Sequence, residues 1–219
     1  LTNKVHLIKE NPVKDLDSPK LKKTLPKYLT LEESVQLLSS VDGQNRERDY
    51  CILTLFLNCG LRISELCALN TTDIQDDALR VLGKGNKVRI VYLNDACKEA
   101  LNGYLAVRRP IVGRDQNALF LSSRNERVSR STVHALVKKH LSEAGLDSTQ
   151  YSAHKLRHTA ATLMLQNGVD VKAVQEVLGH EHLNTTEIYT HIDNEALRVA
   201  AKANPLSRVK PPKKNEAEK

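Results

Sequence analysis

The chain has 219 residues, of which 40% are hydrophobic, and this is enough to form a sizeable core in one domain. Lys and Arg outnumber Asp and Glu by 33 to 26, giving a formal net charge of +7 and a pI near 9.2. This balance favours a polyanionic partner without identifying one. Trp is absent and aromatic residues make up only 4%, which argues against binding of single strands on stacked aromatic side chains.

The cysteines and the hydropathy pattern indicate the compartment. Cys51, Cys59, Cys67 and Cys97 are isolated, lack C-x-x-C spacing and mostly fall in apolar runs. They therefore predict a reduced, intracellular protein. No apolar run approaches the roughly 18 residues of a membrane span, so we expect no membrane partner and a location in the cytoplasm or nucleoid.

The composition divides the chain into three parts. Residues 1–24 carry six lysines and two prolines and predict an extended linker. Because the first residue is Leu1, we interpret this linker as the remnant of a preceding domain. Residues 25–204 are the predicted folded domain, and 205–219 form a basic tail expected to be flexible without a partner.

The first helices follow from capping signals. Thr30 and Glu33 form a capping box that predicts a helix of about ten residues. Its apolar residues recur at helical spacing: Leu31, Val35 and Leu38. The run 50–59 is apolar around most of its circumference and stops at Gly60, which predicts a buried helix with a glycine C-cap at the centre of the core.

The rest of the chain predicts one hairpin and further helices. Residues 78–82 and 88–93 are rich in β-formers and flank the turn-forming stretch 83–87, with Lys84 in the turn. Helices are expected over 95–109, 131–144, 154–166, 171–178, 185–190 and 194–203. The predicted fold class is therefore mainly α with a small antiparallel β-sheet (α+β).

Several chemically capable side chains fall at the edges of these elements, where sites are usually built. They are Arg62, Lys84, His154, Arg157, His180 and Tyr189. Taken singly, each is more often a surface charge or a solvated turn residue. His154 and Arg157 are more informative, because a spacing of three places them on one helical face beside the backbone donors of a helix start. That arrangement favours an anion such as phosphate.

Metal and nucleotide sites are the competing interpretations. His154 and His158 are four residues apart, and further imidazoles are available at His180, His182 and His191. However, Lys155 and Arg157 would place cations beside the metal, and no acidic ligand accompanies them. We therefore predict no metal ligands and interpret His158 as a buried structural imidazole. The stretch 83–87 lacks the glycine spacing of a P-loop, so no ATP site is expected.

A DNA-binding regulator is the main alternative function. The stretch from Ala160 to His180 contains a helix, a turn at 167–170 and a second helix, as in a helix-turn-helix. Such a protein would need no chemistry from Lys84 or Tyr189. The exposed positions of the second helix include only modest base readers: Lys172, Ala173, Gln175 and Glu176.

Five motifs, in this order and spacing, resemble the tyrosine recombinase (phage integrase) family, particularly its Xer-like and transposon integrase members. They are Gly60-Leu-Arg-Ile-Ser-Glu-Leu66, Leu82-Gly-Lys-Gly-Asn-Lys87, His154-Lys-Leu-Arg-His-Thr159, Leu178-Gly-His180 and Ile188-Tyr-Thr-His191. The resemblance covers about residues 25–204 and implies the catalytic-domain fold of that family. The helix-turn-helix pattern then belongs to this fold.

The resemblance implies a role for each matching residue. Arg62 and Arg157 would clamp the scissile phosphate, with Lys84 as the hairpin lysine and Tyr189 as the nucleophile. His154 and His180 fill the two histidine positions. Supporting roles fall to Glu65, which would orient the cations, and to His158. No cofactor is implied.

The resemblance also implies partners. These are double-stranded DNA carrying a specific recombination site and a homotetramer on two duplexes, which exchanges strands through a Holliday junction. The predicted helix 194–203 resembles the element passed between protomers, although a terminal helix can equally pack on its own domain. An amino-terminal DNA-clamping domain is usual in the family. A DNA-binding relic without activity is a third possibility, which the complete set of motifs disfavours.

Overall fold

The computed structural model describes residues 27–83, 87–110, 115–179 and 194–212. Within these ranges the chain folds into α-helices and one small sheet, as predicted. The helices are α1 (Leu31–Ser39), α2 (Arg46–Cys59), α3 (Ile63–Ala68), α4 (Asp95–Val107), α5 (Arg130–Glu143), α6 (Ala153–Gln166), α7 (Val171–Leu178) and α8 (Asn194–Lys202). The strands are β1 (Ile74–Gln75), β2 (Ala78–Leu82) and β3 (Val88–Tyr92). None of these helices has the length and apolarity that crossing a membrane requires.

Helix α2 is the centre of the main core. Every residue from Asp49 to Cys59 is buried, and the helix packs against α4 on one side and α6 on the other. Its apolar circumference explains this position, because a helix that is hydrophobic all round must be covered on all sides. The end of α2 at Gly60 is thereby fixed in the interior of the domain.

The three strands pair antiparallel in the order β1-β2-β3, with Leu82 opposite Val88 at the hairpin end. Leu79 and Val81 of β2 face the core and alternate with exposed Arg80 and Leu82. On β3, Arg89 shares the inward face with buried Val91. The sheet therefore directs one arginine toward the protein interior.

Most predicted helices are confirmed within a few residues, but the details differ at three places. Val35, predicted on the buried face of α1, is exposed, and Leu37 is buried instead. Helix α2 begins at Arg46, four residues before the predicted start at 50. The prediction missed this first turn because its residues are polar and show no apolar pattern. Helix α3 was not predicted, since six residues are too few to establish a periodicity. The predicted helix 185–190 lies outside the described residues.

The start of the predicted basic tail is packed. Pro205–Arg208 form a 3-10 helix in which Leu206 is fully buried, and buried Asn204 donates its side-chain amide to the Leu57 carbonyl at 3.0 Å. Arg46 donates to the carbonyl of Pro212. Ordered packing thus extends past the predicted boundary at 204, because apolar Leu206 and the capping side chain of Asn204 anchor this turn.

Helix α8 packs on its own protomer in this structure. Ala200 joins Met164, Val174, Val177 and Leu178 in a second, smaller hydrophobic cluster between α6, α7 and α8. Arg198 donates to Asp77 at 2.9 Å and lies 4.7 Å from the ring centroid of Tyr92. Both contacts tie α8 to the end of the sheet where β2 begins and β3 ends.

Gly60 provides a stability prediction. Its left-handed backbone (φ 58°) terminates α2, and a Cβ there would run into the Leu178 side chain. We expect Gly60→Ala to lower the free energy of unfolding by about 1–2 kcal/mol, the cost of a left-handed L-residue. Gly103→Ala is the matched control. That glycine lies inside α4 with nothing within 4 Å of an added Cβ, so alanine should raise stability by roughly 0.5–1 kcal/mol. Urea unfolding of both variants measures the change in the free energy of unfolding, which should be negative for Gly60→Ala and positive for Gly103→Ala. Equal changes in the two variants would contradict the prediction.

Candidate active site

Arg62 is positioned by the junction between α2 and α3. After Gly60 turns the chain, Arg62 adopts an extended backbone as the N-cap residue of α3. Glu65, three residues later, accepts the Arg62 backbone N–H at 2.8 Å and its Nη1 at 2.7 Å. The backbone and the side chain of Arg62 are therefore both tied to one carboxylate.

The Glu65 carboxylate is buried, with 2% of its side chain exposed. It also receives a forked pair of hydrogen bonds from Arg89, at 2.7 Å to Oε1 and 3.0 Å to Oε2. Burial by itself would raise the pKa of Glu65, but the hydrogen bonds and charge of Arg89, and then the bonds from Arg62, hold it below its ordinary value. Glu65 is therefore ionised at neutral pH and binds two guanidiniums.

Arg157 lies on α6 and is only 6% exposed. Its Nη1 donates to the Gly60 carbonyl and its Nη2 to the Leu178 carbonyl at 2.7 Å. Arg62 Nη2 donates to the next carbonyl, that of Gly179, at 2.9 Å. Two consecutive carbonyls at the end of α7 thus bring both arginines together, where the helix dipole favours cations.

The electrostatics of Arg157 reflect this crowding. Desolvation and the neighbouring charges of Arg62 and Arg89 lower its pKa to about 10, against the opposing influence of Glu65. The group is still protonated at neutral pH. Three guanidiniums face a single carboxylate, which leaves an excess of two positive charges beside α7. Such an excess is suited to an anion.

The two histidines of the His154 motif occupy different environments. His154 is exposed in the first turn of α6, one turn before Arg157. His158 is only partly buried and lies edge-on to the ring of Tyr28, with centroids 6.5 Å apart. Desolvation, followed by the charges of Lys155 and His154, lowers the pKa of His158. The sequence predicted a buried structural imidazole, but His158 is only half-buried, because position 158 falls at the margin of the helix's buried face.

Lys84, His180 and Tyr189 lie outside the described residues, but the residues leading to two of them are described. A Cβ on Gly83, just before Lys84, would lie 3.8 Å from Arg89 Nη1. A Cβ on Gly179, just before His180, would lie 3.0 Å from Arg89 Cδ. Gly83 and Gly179, which precede Lys84 and His180, therefore both lie beside the cluster of guanidiniums formed by Arg62, Arg89 and Arg157.

Arg89 is the one residue of this cluster that the sequence did not indicate as functional. In strand β3 it stands among Val88, Ile90 and Val91, where a basic residue is most simply interpreted as solvent-facing. An available signal was its parity with Val91, since alternate residues of a strand share a face. Among the described residues, no group of three or more His, Cys, Asp or Glu side chains could hold a metal ion.

Comparisons with known proteins identify the family of this chain. Residues 27–196 match the model of the phage integrase family. A tyrosine recombinase XerC from Caldanaerobacter subterraneus subsp. tengcongensis is 56% identical over 209 residues, which cover 95% of this chain and 59% of that protein. A tyrosine recombinase XerC from Thermodesulfovibrio yellowstonii is 39% identical over 92% of this chain and 70% of its own length. The chain therefore spans less than two thirds of the first of these relatives.

Solved structures show the same fold. The crystal structure of XerA recombinase aligns with a TM-score of 0.66 at 34% identity, covering 85% of this chain and 66% of that one. XerH site-specific recombinase bound to its difH substrate aligns with a TM-score of 0.64 at 31% identity, covering 82% of this chain and 55% of that one. Together with the family match over residues 27–196, these likenesses show that the chain belongs to the phage integrase family and has the fold of a tyrosine recombinase catalytic domain.

Proposed function

We propose that this chain is the catalytic part of a tyrosine-type site-specific DNA recombinase. It cuts one DNA strand through Tyr189, holds the strand as a 3′-phosphotyrosine and rejoins it to another strand. The observation that carries this proposal is the convergence of Arg62 and Arg157 on consecutive carbonyls at the end of α7. In a member of this family, that convergence builds a binding site for one phosphodiester.

The two arginines would stabilise the charge that develops on the phosphate during attack. A guanidinium has five N–H donors in a fixed fork that matches phosphate oxygens. Arg62 uses Nη1 for Glu65 and Nη2 for Gly179, and its side chain is 36% exposed, so N–H groups remain that a phosphate could use. Arg157 lies behind it and adds positive charge. These fixed cations supply the electrostatic stabilisation without a metal ion.

Tyr189 needs activation, because a free phenol has a pKa of about 10. We assign His154, exposed one turn before Arg157, as the group that accepts the phenol proton. His180 would donate a hydrogen bond to a phosphate oxygen. The positive charge around Arg62 and Arg157 lowers the cost of forming the phenolate beside them.

Lys84 completes the cycle as general acid in this proposal. It protonates the departing 5′ oxygen as the bond between phosphorus and that oxygen breaks. The phosphotyrosine preserves the energy of the phosphodiester, so attack by the 5′ hydroxyl of another strand reverses the steps and seals the DNA without ATP. Strands exchanged in this way pass through a Holliday junction.

The assembly follows from the same chemistry, since exchange needs two duplexes and four cleavage sites. We propose a homotetramer on two copies of a specific DNA site in the cytoplasm, associated with the nucleoid. We further propose that α8 is passed to a neighbouring protomer in the tetramer, where it would occupy the surface that it covers on its own protomer here. Exchange of an identical element is a low-cost route to association because it reuses existing contacts.

The nucleophile is tested with a nicked suicide duplex in the presence of EDTA. The sequence of this duplex is selected from a random-sequence pool by binding to the unsubstituted chain. The unsubstituted chain should form a covalent adduct on a denaturing gel. Tyr189→Phe should bind the duplex equally and form none, because it lacks the attacking oxygen. An adduct in the phenylalanine variant, or none in the unsubstituted chain despite tight binding, would overturn the proposed function for this chain.

The clamp is tested at Arg62 in the same assay. Arg62→Ala should slow adduct formation by about 100- to 1000-fold, corresponding to about 2.7–4 kcal/mol for one preorganised donor. Arg62→Lys keeps the charge but not the fork, so it should recover only part of the rate. Thermal unfolding of each variant controls for misfolding. An alanine variant that stays folded and cleaves at the original rate would exclude Arg62 from the site.

Exchange of α8 is tested by reversing one ion pair in two separate variants. Asp77→Arg and Arg198→Asp each place like charges where Arg198 now meets Asp77, so each alone should assemble less well on DNA than the unsubstituted chain. If α8 crosses between protomers, an alternating mixture restores opposite charges at every contact. The mixture should then form several-fold more tetramer in sedimentation than either variant. If α8 stays on its own protomer, the mixture will match the single variants.

A further inference from the structure

We propose that Arg89 is a positioning residue for the recombination reaction, which holds Glu65 so that Arg62 and the two glycines leading to Lys84 and His180 keep their places. The effect on strand cleavage rests on the proposed function, whereas the contacts of Arg89 with Glu65 and the two glycines are observed among the described residues. Arg89 does not contact the reacting atoms in this proposal. It acts through Glu65.

The contact between Arg89 and Glu65 is a buried, two-point fork. Nη1 and Nη2 of Arg89 reach the two carboxylate oxygens at 2.7 and 3.0 Å, and only 16% of the Arg89 side chain is exposed. Two parallel bonds fix the plane of the carboxylate as well as its position. Because Glu65 Oε1 and Oε2 are also the acceptors for Arg62, fixing that plane fixes Arg62.

The same guanidinium lies between two chain segments. On one side is Gly83 at the root of the hairpin, where the Gly83 N–H donates to the Lys87 carbonyl at 2.8 Å. On the other is Gly179 in the left-handed conformation, with Cδ, Nε and Cζ of Arg89 3.0–3.2 Å from the position of an added Cβ. The buried Nε atom has no hydrogen-bond partner among the described residues, where the group is held by its fork and by packing. Arg89 therefore spaces the hairpin from the end of α7.

Charge compensation gives Arg89 a second effect. A buried carboxylate paired only with Arg62 would neutralise the cation that the phosphate needs. Arg89 supplies a second positive charge to Glu65 and so leaves the excess charge of Arg62 and Arg157 for the DNA. Loss of the Arg89 guanidinium should displace Arg62 and weaken its electrostatic interaction with the phosphate. Strand cleavage should therefore be slower.

Arg48 provides a matched control for a purely structural role. It is similarly buried, with 11% of its side chain exposed, and it pairs at 2.7 Å with Asp49, which is also buried. That pair lies in the first turn of α2, at the opposite end of the helix from Gly60 and Arg62. Arg48→Met and Arg89→Met each remove one buried guanidinium from one buried carboxylate, so they should destabilise the fold to a similar degree.

The first measurement is single-turnover adduct formation at saturating duplex. Arg89→Met should slow cleavage by about 10- to 100-fold, by analogy with the loss of a side chain that orients a metal ligand. Its affinity for the duplex should change by less than about 3-fold, because the buried Arg89 side chain makes no contact with the DNA in this proposal. Arg48→Met should stay within that same margin on both counts. Arg89→Lys lacks the fork and should recover only part of the lost rate.

The second measurement separates positioning from independent action. If Arg89 acts through Glu65, adding Glu65→Gln to Arg89→Met should slow cleavage no further than the slower single variant does. Multiplied rate losses would overturn the proposal. So would an Arg89→Met variant that cleaves as fast as Arg48→Met while the unsubstituted chain forms its adduct.

Hydrogen exchange of the chain without DNA tests the geometry when no cleavage is seen. Arg89→Met should speed exchange of the Arg62 amide, which donates to Glu65, and of the Gly83 amide, relative to Arg48→Met. Equal exchange in the two variants would overturn the positioning role. Failure of the unsubstituted chain to form an adduct would instead count against the proposed function and leave this readout to decide Arg89 by itself.

Discussion

The site depends on one buried carboxylate. Glu65 is almost inaccessible to solvent, and an ion in that position persists only if opposite charges and hydrogen bonds compensate for its lost hydration. Arg62 and Arg89 provide both. Because each guanidinium comes from a different element, satisfying one carboxylate draws α3 and the hairpin together. The electrostatic requirement of a single side chain thus determines how the surrounding backbone is arranged.

Packing determines where that carboxylate lies. Helix α2 is enclosed by α4 and α6, and its left-handed Gly60 releases the chain into α3 at a fixed angle. The Gly60 carbonyl then serves Arg157, which also reaches Leu178. From the sequence, α6 and α7 could have formed a helix-turn-helix that reads a DNA groove. In the structure, the carbonyls at the end of α7 instead accept hydrogen bonds from Arg62 and Arg157. This favours the recombinase interpretation over the regulator.

The sequence predicted the long elements because their signals are local. The capping box of α1, the apolar run of α2 and the β-formers around residues 83–87 each contain their own evidence. The role of Glu65 in orienting the cations came from the resemblance of residues 60–66 to the family's motif. Arg89 could not be found in this way, since its partner lies 24 residues earlier and only the fold brings them together. The burial of Leu206 was missed for a similar reason, because its short turn packs against helices that are distant in the sequence and is too short to show a periodicity.

The close contact between Arg89 and Gly179 limits which substitutions the two positions can accept during evolution. The guanidinium stem fills the volume that any side chain at position 179 would need, and the backbone there is left-handed as well. A replacement of the glycine is therefore penalised twice while the arginine remains, but only once after the arginine is lost. The two positions are epistatic: the order in which mutations occur, and not only their identity, decides which descendants of this sequence can fold.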